Sequence, residues 1–231
     1  MWAVLTDSHT WEEDAFFTLG AEEINAFMAL VRALWPQLAM GHALDFGSGV
    51  GRLSQALATH FERVHGVDIA PSMVEAARLY NRHGERVRYT LNCHDDLRLF
   101  TDSSFDFIYS NITLQHIRPA FAQRYIKEFT RVLRPMGGLA IQIPSHLKER
   151  HLAKRLLRSA LPPRLQDRYR IAKYEWRARR GKHEMEMHGL RRPEVERLLR
   201  QGGMRILSVV EDKRVTAHHQ WASFIYIAAK A

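Results

Sequence analysis

The chain has 231 residues, of which 46% are hydrophobic and 26% charged, the proportions of a soluble globular protein with one substantial core. No apolar run approaches the roughly 18 residues of a membrane span, and "MWAVLTDSHTWEED" lacks the basic and apolar regions of a signal peptide. The one cysteine, Cys93, excludes an internal disulfide and a cysteine-cluster metal site, so a reducing cytoplasm is the expected home. The formal charge of +9 is concentrated: 17 Lys and Arg stand against 7 Asp and Glu between His146 and Arg200, and the rest of the chain is near neutral.

In chain order, Ile24, Phe27, Met28, Val31 and Leu34 recur at helical spacing up to Pro36. "HALDF" reads as a short buried strand, "RLSQALATHF" as a helix, "RVHGVDI" as a strand and "PSMVEAARLYNR" as a helix with Pro71 in its first turn. "RVRYTL" and "FDFIYS" are strands three and four, "PAFAQRYIKEFTRVL" is a helix closed by "RPMGG", and "LAIQIP" is strand five. This alternation predicts parallel strands joined by right-handed crossovers, an α/β doubly wound sheet. After Pro144 the pattern breaks into a basic helix, "HLKERHLAKRLLRSAL", and a second stripe of Leu165, Tyr169, Ala172 and Trp176. A helix in "RPEVERLLRQGG" and two strands, "MRILSVVE" and "WASFIYIAAK", complete the chain, the strands separated by a polar loop that suits an antiparallel pair.

The turn after the first strand carries the chemistry. A strand that becomes a helix leaves unpaired N–H groups at the helix start, and glycines there admit positive φ and close approach by a ligand. In an open parallel sheet that turn lies at the ligand-binding edge. Asp68 ends the next strand beside it, where a carboxylate can accept both hydroxyls of a ribose, so Gly47, Gly49, Gly51 and Asp68 read as a nucleoside site. The spacing is G-x-G-x-G rather than the dinucleotide G-x-G-x-x-G, and Asp45 at its base suits a ligand with an ammonium group better than one with phosphates.

"LDFGSGVGRL", "GVDIAPSMVEAAR", "DSSFDFIYS" and "RVLRPMGGLAI", in that order, resemble a class I S-adenosylmethionine-dependent methyltransferase over about residues 40 to 145. The resemblance implies a mostly parallel seven-stranded sheet with the last strand antiparallel and a helical cap inserted after strand five. It implies S-adenosyl-L-methionine as cofactor and S-adenosyl-L-homocysteine as product. The Asp45–Gly51 turn, Ser48 included, would hold the methionine part and Asp68 the ribose; Ile69 and Met73 would pack near the adenine, and Asn111 would lie beneath the methionyl end. Two positions depart from the family pattern. Cys93 stands where an acid often reaches the adenine amino group, leaving backbone groups of Cys93 and His94, or Asp95, for that contact; Met136 stands where a glycine is usual, away from the ligand.

The resemblance also implies an acceptor: an oxygen or nitrogen of a small or conjugated metabolite. His116, in the loop after strand four, is the candidate base for its proton, its ordinary pKa of about 6.5 suiting that role; a histidine that orders the loop is the alternative. The structural alternatives are a hydrogen-bonding role for Asp45 and a helix cap for Asp68, and Cys93 reads as a small buried residue rather than a reactive thiol. His188, His218 and His219 read as surface histidines, although "EMEMHGL" could fold over the site, and no spacing suggests a metal site. Trp2, Trp11, Phe16 and Phe17 either cover the cofactor or pack the first helix. The basic segment is either a solvated helical surface or a platform for an anionic acceptor, a metabolite being favoured over nucleic acid because no RNA-binding module accompanies the core. The rivals are an RNA methyltransferase, a nicotinamide oxidoreductase and a non-catalytic cofactor-binding partner protein. The expected organisation is a single domain over 1–231: a helical lid (1–40), a cofactor-binding core (41–144), a basic cap (145–190) and a C-terminal helix with a strand hairpin (191–231). Oligomeric state is not legible.

Overall fold

The computed structural model describes residues 12–147, 187–213 and 221–230. Trp2, Trp11, His218, His219 and the basic helices expected within 148–186 lie outside the described residues.

The elements follow the expected order: α1 (Glu13–Leu34), β1 (His42–Phe46), α2 (Arg52–Leu57), β2 (Arg63–Asp68), α3 (Pro71–Leu79), β3 (Val87–Leu91), β4 (Phe105–Ser110), α4 (Pro119–Val132), β5 (Leu133–Leu147), α5 (Arg192–Gln201), β6 (Met204–Glu211) and β7 (Trp221–Lys230). The described strands form one seven-stranded sheet in the order β3-β2-β1-β4-β5-β7-β6. The pairings β2–β3, β1–β2, β1–β4 and β4–β5 are parallel, and β7 runs antiparallel to both β5 and β6. The strand order reverses between β1 and β4, the crevice where such sheets bind ligands.

Alternation along the strands divides the core into two layers, because successive side chains leave opposite faces. Ala43, Phe107, Tyr109, Ala140 and Ile227 face one layer, packed by Ile24, Met28 and Val31 of α1, Leu57 of α2 and Val74 and Ala77 of α3. Leu44, Phe46, Ile108, Ile141 and Tyr226 face the other, covered by Ile126 and Phe129 of α4 and by Val195, Leu198 and Leu199 of α5.

Two local differences have clear causes. α2 stops at Leu57, shorter than its sequence pattern, and the backbone turns there so that Phe61 stacks on Phe107 at 5.3 Å. "RPMGG" is a bulge inside β5 and not a turn before it: Leu133 pairs with Phe105, and the next ladder contact joins Gly138 to Phe107. Met136 sits in that bulge at φ +64° with its side chain 48% exposed, while its carbonyl accepts the Trp35 indole N–H at 3.0 Å.

Candidate active site

The three glycines after β1 all adopt left-handed backbone, Gly47 at φ +80°, Gly49 at +52° and Gly51 at +86°, but they do different work. A Cβ on Gly47 would fall 2.1 Å from Thr113 Oγ1, and one on Gly51 would fall 2.2 Å from the Tyr89 hydroxyl. Those two let neighbouring side chains close onto the turn. A Cβ on Gly49 would meet nothing within 4 Å. It faces a cavity of about 770 Å³ at the C-terminal edge of β1, β2, β3 and β4.

Asp68 ties the turn to the next helix. Its Oδ2 accepts the Gly49 N–H at 2.8 Å and its Oδ1 the Ala70 N–H at 2.9 Å. Each carboxylate oxygen retains a second lone pair. The bond to Gly49 goes beyond a helix-capping role, since the residue that caps α3 is Ala70. Asp45 lies beneath, fully buried, and accepts the Ser54 hydroxyl at 2.6 Å. Burial pushes its carboxyl up to about 6, against the stabilising bond from Ser54 and with help from the Asp68 charge.

The cavity gathers Asp45, Gly47, Ser48, Gly49, Asp68, Ile69, Met73, Cys93, His94, Asp95, Asn111 and His116 onto one wall system. These come from four separate strand ends, as the doubly wound topology requires. Gly51 stands off that wall; it precedes α2 and packs against Tyr89. Cys93 is exposed on the cavity wall, which corrects the buried reading: it stands in the loop that follows β3. The Asp95 carboxylate pairs with Arg124 of α4, and the Tyr125 hydroxyl donates to the His94 carbonyl at 2.6 Å, so α4 fastens the β3 loop along the rim. Burial, with Asp95 and Asp96 nearby, pushes the Tyr125 hydroxyl up to about 12.

Of the described N-terminal aromatics, one reaches the cavity and one does not. Phe16 of α1 lines the cavity with the Arg52 guanidinium 5.6 Å from its ring centroid, while Phe17 instead packs beside Tyr80. Arg52 pairs with Glu23 of α1 at 3.0 Å, and the second oxygen of Glu23 accepts Asn111 Nδ2 at 2.9 Å. Two buried polar atoms here, Ser48 Oγ and Asn111 Oδ1, have no hydrogen-bond partner among the described residues, the condition of groups that meet a ligand. A smaller cavity of about 550 Å³ shares Asn111 and is lined by Glu23, Phe27, Tyr109, Gln142, Glu211 and Asp212.

The loop after β4 closes the far end. Ile112 is in left-handed backbone at φ +59°, an outlier for a β-branched residue. Thr113 packs on Gly47, and His116 follows in a short 3-10 turn. His188 is buried, and its N–H donates to the Gln115 carbonyl at 2.7 Å. That corrects the surface reading: residues 187–190 pack against this loop, and the Leu190 N–H donates to the Pro144 carbonyl at 2.9 Å. Among the described residues there is no group of His, Cys, Asp and Glu that could hold a metal, and no helix long and apolar enough to cross a membrane.

A methyltransferase-domain family model matches residues 44–141. A ubiquinone biosynthesis O-methyltransferase from Coxiella burnetii is 37% identical over 101 residues, 42% of this chain and 41% of that protein. Phosphoethanolamine N-methyltransferase 2 from Caenorhabditis elegans is 32% identical over 102 residues, 42% of this chain and 22% of that protein. The chain thus matches about two-fifths or less of the length of these curated relatives. Among solved structures, magnesium protoporphyrin IX methyltransferase from Synechocystis PCC 6803 with bound S-adenosylhomocysteine has the same fold, with a TM-score of 0.62 and 17% identity over 98% of this chain and 90% of that one. The match to the methyltransferase-domain model spans residues 44–141, and the described strands share the fold of that solved methyltransferase.

Proposed function

We propose that the protein methylates an oxygen or nitrogen atom of a small or conjugated metabolite, using S-adenosylmethionine. The observation that carries this reading is the open face of Gly49, beside two orphaned polar atoms and a carboxylate with lone pairs to spare. The cofactor, when bound, supplies an activated methyl group on a good leaving group. What remains for the protein is to bind, orient and exclude water.

Asp68 is suited to the ribose hydroxyls. Asp45, Ser48 and the Gly47–Gly49 backbone suit the amino-acid end, where the buried acid favours an ammonium group. Ile69 and Met73 offer an apolar surface for the adenine, with backbone groups of Cys93 and His94 beside it. Asp95 is already paired with Arg124, which leaves the backbone as the better adenine partner. Asn111 belongs to the methionyl end and His116 to the acceptor. The relatives' names support an acceptor of metabolite size, one being an O-methyltransferase and one an N-methyltransferase.

The test is calorimetric titration with S-adenosylhomocysteine and, separately, NADH. Micromolar binding of the first alone supports the reading; its absence sinks it. Transfer of radiolabelled methyl from S-adenosylmethionine to panels of small hydroxyl and amine compounds then identifies the acceptor. Tight cofactor binding with no transfer to any acceptor supports the non-catalytic alternative.

A further inference from the structure

The charged side chains around the large cavity have partners, with one exception. Arg52 pairs with Glu23 at 3.0 Å and Asp95 with Arg124, Asp45 accepts the Ser54 hydroxyl, and Asp68 accepts the Gly49 and Ala70 N–H groups. Arg118 lines the same cavity, and its guanidinium has neither an ion pair nor a hydrogen bond among the described residues. Its backbone is nevertheless fixed. Arg118 is the N-cap of α4, and its carbonyl accepts the Phe121 and Ala122 N–H groups at 2.9 and 3.0 Å, while its side chain makes no capping bond. No acidic residue stands in the first turn of α4, so the positive end of the helix dipole adds to the Arg118 charge instead of being offset. The wall beside it is apolar: Ile117 precedes Arg118, and Phe121, one turn on, is 39% exposed.

We propose that Arg118 sets acceptor specificity by pairing with an anionic group, a carboxylate or a phosphate, on an acceptor whose apolar body rests against Ile117 and Phe121. The inference rests on the proposed methyltransferase reading, which gives the ends of β1, β2 and β3 to the cofactor and leaves the β4 loop and the start of α4 to the acceptor. The cofactor does not require this cation. Its own carboxylate travels with its ammonium group and so lies at the Asp45 end, where Arg52 is the cation that acts on Asp45. A guanidinium presents its N–H groups as a planar fork that matches the oxygens of a carboxylate or a phosphate. A neutral group of the same shape offers no charge to that fork. Arg118 is exposed, so water and salt screen the pair, and its effect is selection among acceptors by about tenfold rather than tight capture.

The test needs no identified acceptor. The full chain, saturated with S-adenosylhomocysteine, is titrated calorimetrically with three probes of similar size: benzoate, phenyl phosphate and the uncharged benzamide. At least one anion is expected to bind about tenfold more tightly than benzamide, and which anion does so separates a carboxylate-bearing from a phosphate-bearing acceptor. Arg118→Gln is expected to abolish that preference while S-adenosylhomocysteine affinity stays within threefold of wild type. Its thermal melt should be unchanged, because the guanidinium it replaces has no partner among the described residues. Phe121→Ala is expected to weaken all three probes alike. Equal binding of the three probes by the wild type, no binding of either anion, or a preference that survives in Arg118→Gln overturns the proposal. So does a tenfold loss of S-adenosylhomocysteine affinity in Arg118→Gln, which would assign Arg118 to the cofactor. The two failures are distinct: a wild type that binds no S-adenosylhomocysteine removes the methyltransferase reading, whereas cofactor binding without anion preference removes the role of Arg118.

Discussion

Replacing Gly49 and Gly51 by alanine, one at a time, separates binding from folding within a single turn. Both glycines have left-handed backbone, at φ +52° and +86°, so each alanine incurs about 1 to 2 kcal/mol of strain. The reduced freedom of the unfolded chain offsets roughly 0.5 kcal/mol of it. For Gly49→Ala nothing else is lost in the fold, because the new methyl meets no atom within 4 Å. The net cost is near 1 kcal/mol, a drop in melting temperature of roughly 2 to 4 °C. For Gly51→Ala the methyl falls 2.2 Å from the Tyr89 hydroxyl and 2.7 Å from its Cζ. The buried ring must move, adding an overpacking cost of about 1 to 3 kcal/mol. Thermal melts should therefore show Gly51→Ala as clearly the less stable variant. Calorimetry with S-adenosylhomocysteine should rank them by a different criterion: Gly49→Ala, whose methyl enters the cavity, loses at least about tenfold in affinity while remaining folded, about 1.4 kcal/mol. A folded Gly49→Ala variant that binds within threefold of wild type would refute the assignment of that cavity to the ligand.

Asp45 should make stability depend on pH. Its folded carboxyl is pushed up to about 6 from an ordinary 3.8, so between those values the folded state holds a proton the unfolded chain has released. Stability is greatest below the unfolded value and falls as pH rises through about 6, by on the order of 3 kcal/mol. Urea denaturation of wild type against Asp45→Asn should show their difference shifting by that order between pH of about 4 and about 7; a flat difference contradicts it. An ammonium-bearing ligand favours the ionised carboxyl, so S-adenosylhomocysteine should bind more tightly as pH rises across the same window, measured by calorimetry. Met136→Gly should stabilise the fold by about 0.5 to 1 kcal/mol, since glycine adopts φ +64° without strain and loses only part of that gain in chain entropy. The Trp35 bond survives because it uses the Met136 carbonyl, and a melting temperature that falls would disprove the strain argument. Ser54→Ala should destabilise by about 1 to 3 kcal/mol at neutral pH, because it leaves the buried Asp45 carboxylate without its hydrogen-bond donor; equal stability in denaturant melts would argue against that contact.

Strands β1, β4, β6 and β7 were legible to the residue, because each is a short run of apolar or alternating residues bounded by turn chemistry, a property of neighbours in the chain. The glycine turn and Asp68 were legible for the same reason: backbone conformation and strand ends are local. Met136 was read as part of a turn before the strand, and it instead occupies a bulge within it. The bulge exists because β5 begins pairing with β4 at Leu133 and must skip residues before resuming at Gly138. That register belongs to two strands together.

The rest of the site depended on residues far apart in sequence. Asn111 is oriented by Glu23, 88 positions away, and Gln142 by Ser223, 81 positions away. Cys93 is exposed, and His188 buried, according to which elements do or do not cover them. By itself the sequence determined the order of the described elements, the left-handed glycine turn and the resemblance to a methyltransferase domain, since these rest on periodicity and on the conformational freedom of glycine. Which lone pairs stay free, which amide points which way and which carboxyl is buried were decided only when the sheet brought distant polar groups within hydrogen-bonding reach, because a donor or acceptor has no fixed role until its partner is in place.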